Sequence, residues 1–127
     1  MEKVDVLIAE HQRNTRQGLK ALLQLSPIIN QIWEAGDGEN AIMMIESLNP
    51  DLVITAAEMP MIGGVTITRW IKQNRPEIKV ILLTMYPYYE DEALAAGVNR
   101  FLVKGKEDTS IEEEIRLLFN IESGDIK

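Results

Sequence analysis

Five short stretches that read as strands divide this chain: Val4 to Ala9, Asn30 to Ala35, Asp51 to Thr55, Val80 to Thr84 and Phe101 to Val103. All but Asn30 to Ala35 are rich in Val, Ile and Leu, and runs of this kind predict strands covered on both faces; Asn30 to Ala35 is more polar and reads as a further strand. Between them, apolar residues recur at helical spacing. The spacing predicts a helix from Arg13 to Leu25, with Leu19, Leu22 and Leu23 on its inner face. A second runs from Glu39 to Leu48, with Ala41, Ile42, Ile45 and Leu48 facing in, and a third from Val65 to Gln73. A short fourth helix spans Glu90 to Ala96, and a fifth begins after Ser110, where Ile111, Ile115 and Leu118 share a face. The stops are equally plain. Ser26-Pro27, Asn49-Pro50 and Arg75-Pro76 end helices, because proline disfavours helical geometry in the residue before it. Gly97 takes the position just past the fourth helix. Ser110 can cap the fifth, with Glu113 in the capping-box position.

Strand and helix thus alternate five times. Such alternation demands a parallel sheet with helices on both faces. Right-handed crossovers leave few topologies. The expected architecture is a flavodoxin-like (βα)5 three-layer α/β sandwich, its five-stranded sheet in the order 2-1-3-4-5. No internal repeat, low-complexity segment or linker interrupts it. Residues 1–127 therefore read as one domain, with no output domain expected.

Composition narrows the function classes. The chain has 127 residues, enough for one core, and no cysteine, so disulfides and thiolate metal sites are excluded. Its amino terminus carries no signal-peptide pattern and no run is long enough to span a bilayer, so a cytoplasmic protein without membrane contact is expected. The formal net charge is −7, from 13 Lys plus Arg against 20 Asp plus Glu. An acidic chain without a basic cluster argues against nucleic-acid binding, which needs phosphate neutralisation.

Open α/β sheets place their chemistry at the carboxyl ends of the strands. In this topology those ends deliver Glu10 and His11, Ala56, Thr84, and Lys104. The stretches VLIAE at 6–10, PDLVITAAEMP at 50–60, LLT at 82–84 and FLVK at 101–104 resemble the receiver domain of two-component response regulators, of the CheY-like superfamily. The resemblance covers almost the whole chain. It implies a phosphoaccepting aspartate where Ala56 stands, a switch hydroxyl at Thr84, a switch aromatic at Phe101 and a phosphoryl-binding ammonium at Lys104. It places Glu10 and His11 where receivers carry two acidic metal ligands. Receivers also tend to have an acid where Gly63 stands and a proline at Gly105.

Each position has a chemical task. An aspartate attacks phosphorus, a divalent cation held by carboxylates shields the charge, and a hydroxyl and an ammonium bind the phosphoryl oxygens. A methyl group at position 56 can do none of this. Thr55 points to the opposite face, and Glu58 lies in the following loop. Histidine prefers borderline metals to Mg²⁺, so Mg²⁺ binding through Glu10 and His11 is expected to be weak. Lys104 is left to pair with Glu10.

The three tyrosines, Tyr86, Tyr88 and Tyr89, fall within four residues after the fourth strand. Tyrosine suits protein interfaces, although rings here can also cover the core. The resemblance implies signalling through such a loop to a histidine kinase, another signalling protein or a second copy of the chain. Two readings follow: a phosphorylation-independent receiver acting through protein contacts, and a phosphorelay receiver whose acceptor Asp has been replaced by Ala56. A flavin or nucleotide enzyme on this architecture would need a glycine-rich cradle after the first strand. The sequence there is EHQRNT, and no enzyme is expected.

Overall fold

The structure is a computed structural model that describes residues 3–105 and 110–122. Its strands are β1 (Val4–Ala9), β2 (Ile29–Ala35), β3 (Leu52–Thr55), β4 (Lys79–Thr84) and β5 (Arg100–Val103). Its helices are α1 (Arg13–Gln24), α2 (Gly38–Leu48), α3 (Gly64–Asn74), α4 (Glu90–Ala96) and α5 (Ile111–Phe119). All strand pairs are parallel, in the order β2-β1-β3-β4-β5. This is the architecture the alternation predicts.

The sheet separates two apolar layers. Leu7, Val53 and Leu82 pack beneath α2, α3 and α4, with Ile45, Ile71 and Ala93. Ile8, Ile54 and Ile81 pack beneath α1 and α5, with Leu23 and Ile115. Adjacent residues of the central strands supply opposite layers, which explains why β1, β3 and β4 are almost unbroken apolar runs, while β2 at the sheet edge carries exposed Asn30 and Gln31. Two expected inward residues lie outside. Leu22 is 54% exposed and Leu48 is 38% exposed. Each stands three residues beyond an inward one, about 60° off its azimuth, near a helix end.

Two helix ends carry the devices expected of them, and Asp37 adds a cap that the sequence reading did not name. Gly97 has φ +103° and its N–H donates to Ala93 O, closing α4. Ser110 Oγ accepts from Glu113 N at 3.3 Å. Asp37 Oδ1 does the same for Asn40 N at 2.8 Å and starts α2. Lys72 on α3 reaches Ile78 O at 2.8 Å and Asn99 Oδ1 at 3.0 Å, while Asn99 Oδ1 accepts from Val80 N. Burial pushes this ammonium below its usual value, and nearby Lys79 adds to the effect. The lysine thus pins α3 to the turn that launches β5.

The loop from β3 to α3 is held by close backbone contacts. Gly63 caps α3, and Gly64 N donates to Ala57 O at 2.9 Å. At its apex Met61 has φ +67°, and Ile62 N donates back to Pro60 O at 2.8 Å. This one-residue γ-type turn leaves the Met61 side chain almost fully exposed.

Candidate functional site

Four strand ends converge on a cavity of about 400 Å³, whose lining includes Glu10, His11, Ala56, Thr84, Tyr86 and Lys104. Glu10 follows β1 directly and is 8% exposed. Its N–H donates to Ala35 O at 3.0 Å, and its own carbonyl accepts from Arg16 Nη1 at 2.9 Å. Its carboxylate is thereby held inward. Oε2 accepts from Gln12 N at 2.9 Å, and Oε1 lies 3.4 Å from Lys104 Nζ. The pairing expected of Lys104 is present in the geometry.

Ala56 extends the ladder one residue past β3, its N–H donating to Ala9 O at 2.9 Å. The side chain is a half-buried methyl between the Glu10 and Thr84 strands. Thr55 is fully buried, and its hydroxyl donates to Ala56 O at 2.9 Å. It does not line this larger cavity, as alternation along the strand requires. Thr84 is 5% exposed, and its Oγ1 accepts from Tyr86 N at 3.2 Å. Lys104 N donates to Thr84 O at 2.7 Å, which sets the lysine beside the threonine. Phe101 lies half-buried against the layer that holds Ala93 and Ala96.

His11 is exposed at the rim. Glu58 is exposed too and lies beside the Tyr89 hydroxyl, which burial and then this carboxylate push above its usual pKa. The tyrosines divide. Tyr86 is 43% and Tyr88 69% exposed, while Tyr89 packs against the core. Their rings form a tilted row, with centroids 5.4 Å apart for Tyr86–Tyr88 and 4.8 Å for Tyr88–Tyr89.

The donors do not suit Mg²⁺. A hard dication such as Mg²⁺ wants near-octahedral oxygen donors, one or two of them free carboxylates and the rest largely waters. Here the inward carboxylate is already paired with an ammonium and a backbone N–H, and position 56 offers a methyl. Among the described residues no group of three His, Cys, Asp or Glu is gathered for a metal.

The sequence reading missed the support behind Glu10. Arg16 Nε donates to Glu34 Oε1 at 3.2 Å, and Lys20 Nζ lies 2.8 Å from Glu34 Oε2. Gln17 Nε2 donates to Glu34 Oε1 at 2.8 Å. The signal was a lone carboxylate inside the β2 run, facing Arg16 and Lys20 one turn apart on α1. The Lys20 hydrogen bond holds the Glu34 pKa below its usual value against opposing burial, and Arg16 lowers it further. A lowered folded-state pKa stabilises the fold at pH values above the unfolded carboxylate pKa. That stabilisation is lost as pH falls through the folded one. Glu34→Gln is therefore expected to be less stable than the parent at pH 7. The gap should narrow in denaturant titrations as pH falls below the ordinary carboxylate value and through the lowered folded-state one, and a gap that stays constant with pH would contradict the ion-pair account.

Comparison with known proteins agrees with this fold. Residues 6–116 match the response regulator receiver domain. The chain belongs to that family. It is 28% identical to the transcriptional regulatory protein DegU of Brevibacillus brevis, over 91% of this chain and 50% of the relative. It is 32% identical to the response regulator protein VraR of Staphylococcus saprophyticus, over 94% of this chain and 58% of that one. This receiver chain thus spans about half the length of the curated relatives it matches. A crystal structure of a DNA-binding response regulator of the LuxR family from Staphylococcus aureus superposes with TM-score 0.79 at 30% identity, covering 92% of this chain and 97% of that one. No described helix of this receiver is long and apolar enough to cross a membrane.

Proposed function

We propose that this receiver works in two-component signal transduction without accepting a phosphoryl group, through protein–protein contacts. The observation that carries the reading is the methyl of Ala56 at the end of β3, between a Glu10 and a Lys104 that are paired with each other. Phosphoryl transfer needs a nucleophile and a shielding cation. This site offers no nucleophile at position 56, and its one inward carboxylate already has partners. The domain is then a cytoplasmic interaction module and not an enzyme. A receiver kept from phosphorylation can still rest in one of two states, chosen by packing or by a partner.

Tyr86 and Tyr88 supply the partner surface in this reading, with area and hydroxyls free for contact, while Tyr89 anchors the row. The partner is a histidine kinase, another signalling protein or a second copy of the chain. A net charge of −7 argues against contact of this domain with nucleic acid.

A second reading keeps Thr84 and Lys104 in their inherited phosphoryl-binding roles. On that view this is a phosphorelay receiver whose acceptor has been replaced by Ala56. Their placement around one cavity favours it. Intact mass after incubation with Mg²⁺ and a small acyl phosphate tests both. The parent chain is expected to stay unlabelled, and a phosphoryl adduct on it would overturn the main reading. If Ala56→Asp is labelled, the surrounding site has kept its competence and the second reading gains. If it too stays unlabelled, the site has changed beyond position 56.

A further inference from the structure

A second cavity, of about 110 Å³, adjoins the first. It lies between α1 and the sheet, lined by Ile8, Thr15, Leu19 and Ile54. Glu10, Ala56, Leu83 and Lys104 line both cavities. The smaller one is almost wholly apolar, and the larger holds the charged groups. Ala56, Leu83 and the Glu10–Lys104 pair stand where the two meet.

We propose that the two cavities form one binding site for a small uncharged amphiphile, with a compact branched aliphatic group below and a hydrogen-bonding amide or alcohol head above. Size sets the tail. A cavity of about 150 Å³ takes benzene, so this one has room for about four carbons. Burial of such a group is the driving force.

Charge sets the head. Glu10, Glu58 and Lys104 leave one carboxylate in excess around the larger cavity, on a chain of net charge −7. An anionic head would be repelled and would have to take Lys104 from Glu10. A cationic head near Glu10 would meet Lys104 Nζ. An uncharged head that both donates and accepts fits the pair as it stands. Lys104 has three N–H donors and Glu10 Oε1 can accept a further bond. Thr84 Oγ1 accepts from Tyr86 N and keeps its own hydrogen to donate. A head bound there also touches the hydroxyl that holds the tyrosine loop. A ligand can thus bias the loop if it favours one of its arrangements. The proposal deepens the phosphate-independent reading and rests on it; fragment binding and acyl-phosphate labelling are separate readouts.

Isobutyramide, isobutanol, isobutyrate and isobutylamine, titrated in turn into the ¹⁵N-labelled chain, test it. The amide and alcohol are expected to shift the backbone resonances of Ala56 and of Leu83 to Tyr86 in a saturable way. The two charged analogues should bind about tenfold more weakly, a difference of roughly 1.4 kcal/mol. Ala56→Leu fills the junction from the sheet, and Thr15→Leu fills the smaller cavity from α1. Each variant that folds is expected to bind isobutyramide at least about tenfold more weakly. Because Thr15 is only half-buried, the second variant keeps the test alive if the first does not fold. Equal affinity for the charged analogues, shifts confined to other residues, no saturable shift, or unchanged binding in the folded Thr15→Leu variant would each overturn the proposal.

Discussion

Gly64→Ala is expected to cost about 3 kcal/mol, lowering Tm by roughly 10 °C. A Cβ at Gly64 would overlap the Ala56 carbonyl oxygen, and would come 2.9 Å from its carbon and 3.1 Å from Thr55 Oγ1. The obstacle is backbone, at the end of a central strand, and it cannot rotate away. Relief must come from shifting α3 off β3, which breaks the Gly64 N to Ala57 O bond. Gly18→Ala is the control of opposite sign. It lies within α1 with nothing within 4 Å of its added Cβ. There alanine should stabilise by roughly 0.5–1 kcal/mol, the usual helix-interior difference. Denaturant melts of both variants check the pair. Equal small effects would mean that the loop between β3 and α3 yields more readily than this geometry implies.

The Gly64 contact marks where sequence reasoning stopped. All five strands and five helices were legible, because buried runs, helical spacing and Pro or Gly stops act within a few residues. Ser110 and Gly97 were legible for the same reason. Gly64 read as loop, since its constraint comes from the chain passing against Ala56. Arg16 and Glu34 were missed similarly: their contact joins α1 to β2, 18 residues apart. Leu22 and Leu48 misled because apolar type suggests an inner face without fixing where a helix leaves its neighbours. At the site the strand ends were legible from topology alone. What the sequence could not supply was how far the side chains reach once there, which decides whether Glu10 meets Lys104.

That reach underlies the second large effect. In the sheet order β2-β1-β3-β4-β5, the strand ends bearing Glu10 and Lys104 are three spacings apart, about 14 Å. The two side chains meet by extending over Ala56, whose methyl neither competes for the ammonium nor repels the carboxylate. Glu10 is nearly buried while the Lys104 side chain is 29% exposed, so the contact lies between a surface pair and a buried one. Lys104→Met is expected to cost about 2 kcal/mol at pH 7, because it strands a desolvated carboxylate with only the Gln12 amide for company. Glu10→Gln alone should cost less, as the lysine can turn to solvent. The double variant should recover part of the loss, with a coupling of about 1 kcal/mol in the cycle. A coupling near zero would mean that the pair does not hold this edge of the sheet. The conformational state of the receiver would then have to be set by the Thr84–Tyr86 contact or by a partner. A clear coupling would make the ion pair an internal tie across the carboxyl edge of the sheet.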